Sequence, residues 1–583
     1  MSRFAGIDLG TTNTSLAIAD EAGDATAFAV PQLVARGVLE ARAQLPSFMY
    51  MGHESDGALA LPWAASQPFA VGEYARSRGL DAPARLVASA KSWLCHPSMD
   101  RRAAILPLNA PPDVDRVSPV EASYRYLEHL ASAFDAAHAP ARLTELPIVL
   151  TVPASFDAAA RELTVEAAFA AGLESVTLLE EPQAAVYAWI AARGDAWRKD
   201  LSPGDVVLVV DVGGGTTDFS AIAVTEREGA LSLDRVAVGD HILLGGDNMD
   251  LLLAYLCKQK LEAQGRSVDA WQLTSLVFAS RAAKERLLSD GAVASAPVAI
   301  ASKGASLVGG GLRTEITRDE LEQSIAQGFF PLCGVTERPI VRARGGLTQM
   351  GLPFAQDAAV TRHLAHFLAR QGQPGAPLRP TAVLFNGGVM KSDALRARVV
   401  AALAGWFGEA PRELPGADYD LAVAKGAAIY ARSRATGGIR IRGGTARAFY
   451  VGIEAAAPAV PGIEPPVSAL CVAPFGMEEG SRARVPSGEI GLVVGEKVRF
   501  RFFGSSVRRS DVVGASLERW SEGELEELSP IEATVPASAG APGDFLPVTL
   551  ASEVTAIGTL RVIATPTVGA EEPFALELAI REP

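Results

Sequence analysis

Two stretches of this 583-residue chain carry the same chemistry-bearing residues in the same order. One reads Gly6-Ile-Asp-Leu-Gly-Thr-Thr-Asn-Thr-Ser-Leu-Ala-Ile-Ala19, the other Val210-Asp-Val-Gly-Gly-Gly-Thr-Thr-Asp-Phe-Ser-Ala-Ile-Ala223. In each, an apolar run ends near an aspartate, Asp8 or Asp211. Glycines and hydroxyls follow, then a second apolar run. That order predicts strand, tight turn, strand. Glycines let backbone N–H groups approach an anion without a side chain in the way, and threonine hydroxyls add donors. An acid at the end of the lead-in strand can hold Mg²⁺, usually through water. One such turn alone reads as an ordinary glycine-rich hairpin. Two in matched context predict a clamp that grips a polyphosphate from both sides, and hence nucleotide binding. Neither turn is a P-loop or a dinucleotide fingerprint, because GxxxxGK[ST] is absent and no GxGxxG leads into a helix.

Asp8-Leu-Gly-Thr-Thr-Asn13 and Asp211-Val-Gly-Gly-Gly-Thr-Thr-Asp218 resemble the two phosphate loops of the actin, sugar-kinase and heat-shock-ATPase superfamily. The closest resemblance is to the seventy-kilodalton heat-shock chaperones (Hsp70, DnaK type). Further segments fall in that family's order. Leu150-Thr-Val-Pro-Ala-Ser-Phe156 and the helix expected over Ala158–Ala171 are similar to its first crossing segment. Glu181-Pro-Gln-Ala-Ala-Val-Tyr187 resembles its acid-Pro turn, and Gly239-Asp-His-Ile-Leu-Leu-Gly-Gly-Asp247 its Gly-Gly-acid loop. Asn386-Gly-Gly-Val389 resembles the adenosine loop, and Asp420-Leu-Ala-Val-Ala-Lys-Gly-Ala-Ala428 the closing helix.

The resemblance implies ATP or ADP with Mg²⁺ as cofactors. Thr11, Thr12, Gly213, Gly214, Gly215 and Thr216 would hold the phosphates, with Gly10 and Asn13 completing the first loop. Asp8 and Asp211 would position Mg²⁺ through its waters, and Glu181, a further catalytic candidate, would orient metal or water. Lys91, in Ala88-Ser-Ala-Lys-Ser-Trp-Leu94, matches the lysine that reaches the γ-phosphate and the attacking water; its other reading is a solvated helix lysine. Asp211 or Asp218 would be the base, and Thr216 a further catalytic candidate. Gly245, Gly246, Asp247, Lys284, Gly387, Gly388, Lys391 and Asp420 would bind the remainder of the nucleotide. Phosphoryl transfer to water needs positioning and charge stabilisation more than covalent chemistry, which suits this set.

Three features depart from the family pattern. Arg281 stands where the family carries an acid that bonds the ribose, and Lys391 replaces an arginine that stacks on the adenine. An arginine plane stacks better than an ammonium does. Residues 329–380 form an insertion that includes Arg338-Pro339, Arg342, Arg344-Gly-Gly346 and an amphipathic stretch, Asp357–Arg370. Val360, Leu364, Phe367 and Leu368 fall on one helical face of that stretch. His363 and His366 sit three apart there; with no further Cys or His near in sequence, surface or helix-edge histidines are expected rather than a metal pair.

These residues need a scaffold, and the composition supplies one. The chain is 49% hydrophobic and 21% charged, which excludes wholesale disorder and predicts several packed domains. A net charge of −14 argues against gripping a phosphate backbone, so no nucleic-acid partner is expected. Apolar runs fall short of the ~18 residues that span a bilayer, and no targeting segment is visible. Cys95, Cys257, Cys333 and Cys471 lie far apart and read as buried reduced thiols. A cytoplasmic location is expected from these features.

The fold class expected is an α/β actin-like domain over residues 1–435, a duplicated ribonuclease-H-like two-lobe ATPase. A linker over 436–444 follows, basic and glycine-rich where the family's is acidic and leucine-rich. Short period-2 runs then predict an all-β, sandwich-like domain over 445–583, resembling the family's substrate-binding domain. The runs are Ala446–Ile453, Ser468–Val472, Ile490–Val494, Lys497–Phe503, Val548–Leu550, Thr559–Ala564 and Phe574–Ile580. No helical lid is expected after it. The functional expectation is a slow Mg²⁺-dependent ATPase that couples a nucleotide switch to binding of client polypeptide, with co-chaperones as further partners. The alternatives are a dedicated assembly or reactivation factor for one client, a nucleotide-sensing scaffold, and, less consistent with the motifs, a filament former or small-molecule kinase.

Overall fold

The computed structural model of the protein describes residues 2–21, 23–79, 81–96, 98–108, 110–227, 230–300, 311–341, 351–372, 376–416, 418–438, 441–445, 447–456, 458, 465–478, 480–486, 490–505, 507–508, 510–521, 523–528, 530–535, 543–555, 559–568 and 572–579. The chain divides into two compact units. One comprises Met1–Leu233 with Ala237–Arg440, the other Asp234–Val236 with Ile441–Pro583.

The first unit is built on two mixed sheets, each holding one copy of the repeated turn. In one sheet the order is Val176–Glu180, Ile148–Val152, Arg3–Leu9, Asn13–Asp20, Thr26–Ala27. In the other, Arg412–Glu413, Ala382–Asn386, Val206–Val212, Thr217–Arg227 and Ala230–Val238 follow one another. Val206–Val212 is apolar except for Asp211 and buried from Val207 onward, as a central strand covered on both faces must be.

The two sheets repeat one local pattern. The hairpin of Arg3–Leu9 with Asn13–Asp20 pairs Asp8 with Ser15, and the parallel neighbour sets Thr151 beside Asp8. The hairpin of Val206–Val212 with Thr217–Arg227 pairs Asp211 with Asp218, and its parallel neighbour sets Asn386 beside Asp211. Each acid therefore sits at the carboxyl end of a strand that has a parallel partner, where open sheets of this kind hold ligands.

Helices anchor these strands. Ala158–Ala170 starts where the Asp157 carboxylate accepts from the Ala160 amide at 2.6 Å, which satisfies one of the free N–H groups of its first turn. Ala422–Thr436 packs on the first sheet and on the helix Glu181–Arg193. Gly426 makes that approach: a Cβ there would overlap the Ala184 carbonyl. No helix among the described residues is long and apolar enough to cross a membrane.

Within the insertion, a helix spans Val360–Gln371, with Val360, Leu364, Phe367 and Leu368 buried. It begins later than the amphipathic stretch because Asp357 is used outside it. Its carboxylate accepts from the Ile340 and Ala359 amides at 2.8 and 3.0 Å and pairs with Arg362 at 2.6 Å. The His363 ring lies 3.0 Å from the Asp357 carbonyl. Arg342 and Arg344-Gly-Gly346 lie outside the described residues, as do Ile439 and Arg440 of the linker. Cys257 and Cys471 are buried free thiols; Cys95 and Cys333 are only partly buried, against expectation.

The second unit holds strands and loops among its described residues. One sheet runs Ser516–Leu517, Val467–Ala473, Ala448–Glu454, Phe502–Ser505, Glu526–Glu527. Another runs Arg482–Arg484, Phe545–Val554, Thr559–Pro566, Phe574–Ala579, with Ile490–Val493 beside Phe545–Val554. Phe449, Val451 and Leu470 of the first sheet share a core with Val548, Leu560 and Val562 of the second. The run Lys497–Phe503 is not one strand: Lys497–Phe500 pairs with Ile531–Thr534, whereas Phe502–Ser505 joins the first sheet. Arg501 stands between them and reaches out to Glu527 at 2.7 Å.

Candidate functional site

The first turn, Gly10–Thr12, is fixed from below: the Ser47 hydroxyl donates to the Gly10 carbonyl at 2.7 Å, and the Ser47 amide to the Thr12 carbonyl at 2.8 Å. The second turn closes on itself through the Gly213 amide and the Thr216 carbonyl at 2.9 Å. Its Gly213 and Gly214 carbonyls then accept from the Gly246 and Asp247 amides, 3.0 and 2.7 Å, at the start of the helix Gly246–Ala263. These contacts leave no room for side chains, since a Cβ on Gly245 would come within 2.6 Å of the Gly214 carbonyl. The two repeated turns meet. A Cβ on Gly214 would overlap Thr12 Oγ1, and one on Gly215 would lie 2.7 Å from the Thr11 methyl.

A cleft of about 510 Å³ opens between the turns. Its wall includes Asp8, Gly10, Thr11, Thr12, Asn13, Lys91, Glu181, Asp211, Gly213, Gly214 and Thr216. At the far end stand Gly246, Asp247, Lys284, Gly387, Gly388, Lys391 and Asp420. Gly215 and Gly245 are not on that wall; Asp218, buried and held by the Ser155 hydroxyl, lies close enough to the wall residues Lys91, Glu181 and Asp211 for its charge to act on them.

Lys91 is not a solvated helix lysine. It lies in the one-turn helix Ala90–Trp93, is only 6% exposed and makes a short ion pair with Glu181. Burial pulls its pKa down, but the Glu181 and Asp8 charges outweigh this and raise it, so the ammonium is retained. The carboxyls around it are crowded. Burial and then the Glu181 charge push Asp8 up to about 7, against Lys91 and the Thr151 hydroxyl, which donates to Asp8 at 3.2 Å. Asp211 is held well above the usual carboxylate range by burial and then by Glu181, although Asn386 donates to it at 2.7 Å. Glu181 and Asp218 are raised too, chiefly by burial.

Four crowded acids, Asp211 and Asp218 buried and Asp8 and Glu181 partly so, with one lysine among them, suit an additional positive charge, because repulsion among them falls when a cation arrives. Among the described residues no three such groups converge closely enough to ligate a metal directly. Asp8 and Asp211 are the residues of this cleft that would hold Mg²⁺ through water. The donors that line the cleft, Thr11, Thr12 and Thr216 with the glycine backbone, suit a phosphate chain.

The far end differs from the family pattern by an exchange of charge. Arg281, expected to replace an acid, pairs with Asp247 at 2.5 Å and Asp250 at 2.7 Å. Lys284 pairs with Asp250 at 2.7 Å and donates to the Gly246 carbonyl at 3.0 Å. Asp250, wholly buried, brings a carboxylate to this end from the helix Gly246–Ala263. Lys391 faces Asp420 at 2.6 Å instead of lying free over a ring. Sequence reading missed Asp250, Thr151, Asn386 and Ser89, whose hydroxyl donates to Asp247 at 3.1 Å. A signal existed for Asp250: Asp247 and Asp250 at i,i+3 oppose Arg281 and Lys284 at i,i+3 on the next helix.

Residues 113–340 match the family model described as Hsp70 protein. The chain is similar to the chaperone protein HscA of Cronobacter sakazakii, 30% identical over 361 residues, covering 60% of this chain and 49% of that protein. It is 32% identical to the chaperone protein HscA of an Enterobacter species over 337 residues, 55% of this chain and 46% of the other. A chaperone protein HscA homolog of Acinetobacter baylyi is 37% identical over 139 residues, 24% of this chain and 21% of the other. The chain thus spans half or less of the length of these relatives.

Proposed function

We propose that this chain, similar over part of its length to Hsp70-family proteins, is an ATP-dependent chaperone: the first unit binds and slowly hydrolyses ATP, and the β-rich second unit holds segments of client polypeptide, with co-chaperones as further partners in the cytoplasm. On this reading residues 1–435 are an actin-like, two-lobe ATPase domain, 436–444 a linker and 445–583 a sandwich-like substrate domain. The observation that carries the reading is the meeting of the two repeated turns, Gly214 against Thr12, with Asp8 and Asp211 on the wall of the same cleft.

In the proposed reaction Thr11, Thr12, Thr216 and the Gly214 amide orient the phosphates. Lys91, fixed by Glu181, brings positive charge to the terminal phosphate as negative charge builds there. Asp211 or Asp218 would orient a water and accept its proton. Mg²⁺, when bound, supplies charge neutralisation of the phosphate oxygens. Asp250, Arg281 and Lys284 form the ribose end, and Lys391 with Asp420 its rim.

Calorimetric titration with ATP and Mg²⁺, followed by phosphate release under single-turnover conditions, tests the first half. Binding without release would leave a nucleotide-sensing scaffold. A peptide array probed with and without ATP tests the second half: retention of many apolar heptamers is expected, and retention of none would point to a single dedicated client.

A further inference from the structure

Ser155 and His241 stand behind the acids, and no role has been given to the histidine so far. Ser155 follows the strand Ile148–Val152, and His241 lies between the strand Ala230–Val238 and the helix Gly246–Ala263. The Ser155 hydroxyl is hydrogen-bonded to Asp218 Oδ1 and lies 2.8 Å from His241 Nδ1. The His241 ring meets Phe156 edge-on with centroids 5.7 Å apart, and Lys91 Nζ lies 5.8 Å from the same Phe156 ring. His241 Nε2 is buried with no hydrogen-bond partner.

A hydroxyl has one proton to donate, and this fixes the direction of the chain. An ionised Asp218 can only accept, so Ser155 donates to it, and the Ser155 oxygen in turn accepts from His241 Nδ1–H. The neutral ring then keeps its lone pair on Nε2, the nitrogen without a partner. The reverse direction would leave an N–H donor buried there, and unpaired buried donors are rarer than under-used acceptors. Burial, then the nearby Lys91 charge, draw the His241 pKa down to about 4, with Asp157 opposing, so the ring stays neutral.

We propose that His241 is a positioning residue for hydrolysis: through Ser155 it holds the ionised Asp218 carboxylate in register to take a proton from the attacking water. This rests on the ATP-hydrolysis reading and assigns the proton, left open between Asp211 and Asp218, to Asp218. The water oxygen forms a bond to the γ-phosphorus, the bond from that phosphorus to the bridging oxygen breaks with its electron pair leaving on ADP, and the water proton passes to Asp218.

The test uses the full chain as wild type, His241→Ala, Ser155→Ala, the double variant and His241→Asn. Single-turnover hydrolysis of ATP with Mg²⁺ and titration with a fluorescent ADP are measured on each. Each alanine variant is expected to slow hydrolysis about tenfold, the worth of one hydrogen bond to a charged group, with affinity changed less than about twofold. The double variant is expected to be no slower than either single one, since both cut the same chain. His241→Asn, whose amide N–H can reach Ser155, is expected to restore most of the rate. Nitrogen-15 spectra of the wild-type imidazole are expected to show the Nδ1–H tautomer, a readout that stands even where an alanine variant folds poorly. Undiminished hydrolysis in both single variants, additive losses, no rescue by asparagine, or an Nε2–H tautomer each overturns the assignment. A wild-type protein that binds ATP and releases no phosphate removes the hydrolytic reading and the assignment with it; a wild type that turns over beside indifferent variants overturns His241 alone.

Discussion

Removing the Lys91 ammonium takes a positive charge away from Asp8, Glu181 and Asp218 at once. Lys91→Ala is expected to slow single-turnover hydrolysis by about 10²-fold or more, as loss of one electrostatic group at a reacting centre does, while nucleotide still binds. Unchanged turnover would remove Lys91 from the chemistry. Asp8 allows a different test. Its folded pKa of about 7 lies above the ordinary 3.8, first through burial and then through Glu181. Between those values the folded chain keeps a proton that the unfolded chain has released, so this group's contribution to stability falls as pH rises through that window. Asp8→Asn is expected to raise the Tm of the nucleotide-free protein at about pH 8 by a few degrees and leave it unchanged at about pH 4. Equal shifts at both pH values, read by thermal unfolding, would mean that packing rather than charge is responsible. The meeting of the two glycine-rich turns was legible because Asp8 and Asp211 head two copies of one pattern. Asp250 was not, because a buried acid in Gly246–Ala263 shows its use only when Arg281 and Lys284 arrive from another helix.

Elements were legible where one periodicity decided them. The helix Val360–Gln371 follows its apolar face, and the strand Val206–Val212 its continuous apolar run. Boundaries depended on side chains that bond outside their own element. Asp357 belongs to the amphipathic stretch by composition yet serves as an anchor before the helix begins, holding Ile340, Ala359 and Arg362. Burial acts to raise its pKa, but Arg362 and the two amides outweigh that and hold it down at about 2. A depressed carboxyl contributes stability that is present above its unfolded pKa and lost as pH falls through the folded value. Asp357→Ala is therefore expected to cost about 1–2 kcal/mol at neutral pH, comparable to loss of a helix cap. The cost should shrink as pH drops from about 4 toward 2, which urea melts across that range would follow. A pH-independent loss would make the defect one of packing. The split of Lys497–Phe503 has the same origin as the displaced helix start: alternation predicts a strand, and pairing partners on two different sheets divide it at Arg501.

At the scale of the whole chain, strands and loops follow the last described helix, Ala422–Thr436, and the second unit has a hydrophobic core of its own. That core draws on both main sheets, with Phe449 and Leu470 against Val548 and Leu560, and includes no residue that lines the cleft. The cleft is lined wholly by the first unit. Separate cores and a one-sided ligand site lead to a specific expectation for calorimetry. Two unfolding transitions should be resolved, because cooperativity follows a shared core. ATP with Mg²⁺ at about a hundred times its Kd stabilises the folded state that binds it by ~2.7 kcal/mol. For a unit of this size such a gain moves the Tm by only a few degrees, and it should move the first unit's transition alone. The stretch between the units has few large apolar residues to bury, Ile439 and Ile441 among four glycines, so a nucleotide-driven docking worth several kcal/mol has little apolar area to draw on. If both transitions rise together on adding nucleotide, the units are energetically coupled by means other than apolar burial of that stretch. Repeating the scan in high salt would then identify the coupling as electrostatic if the joint shift disappears, since screening weakens exposed charge pairs far more than it weakens apolar contact.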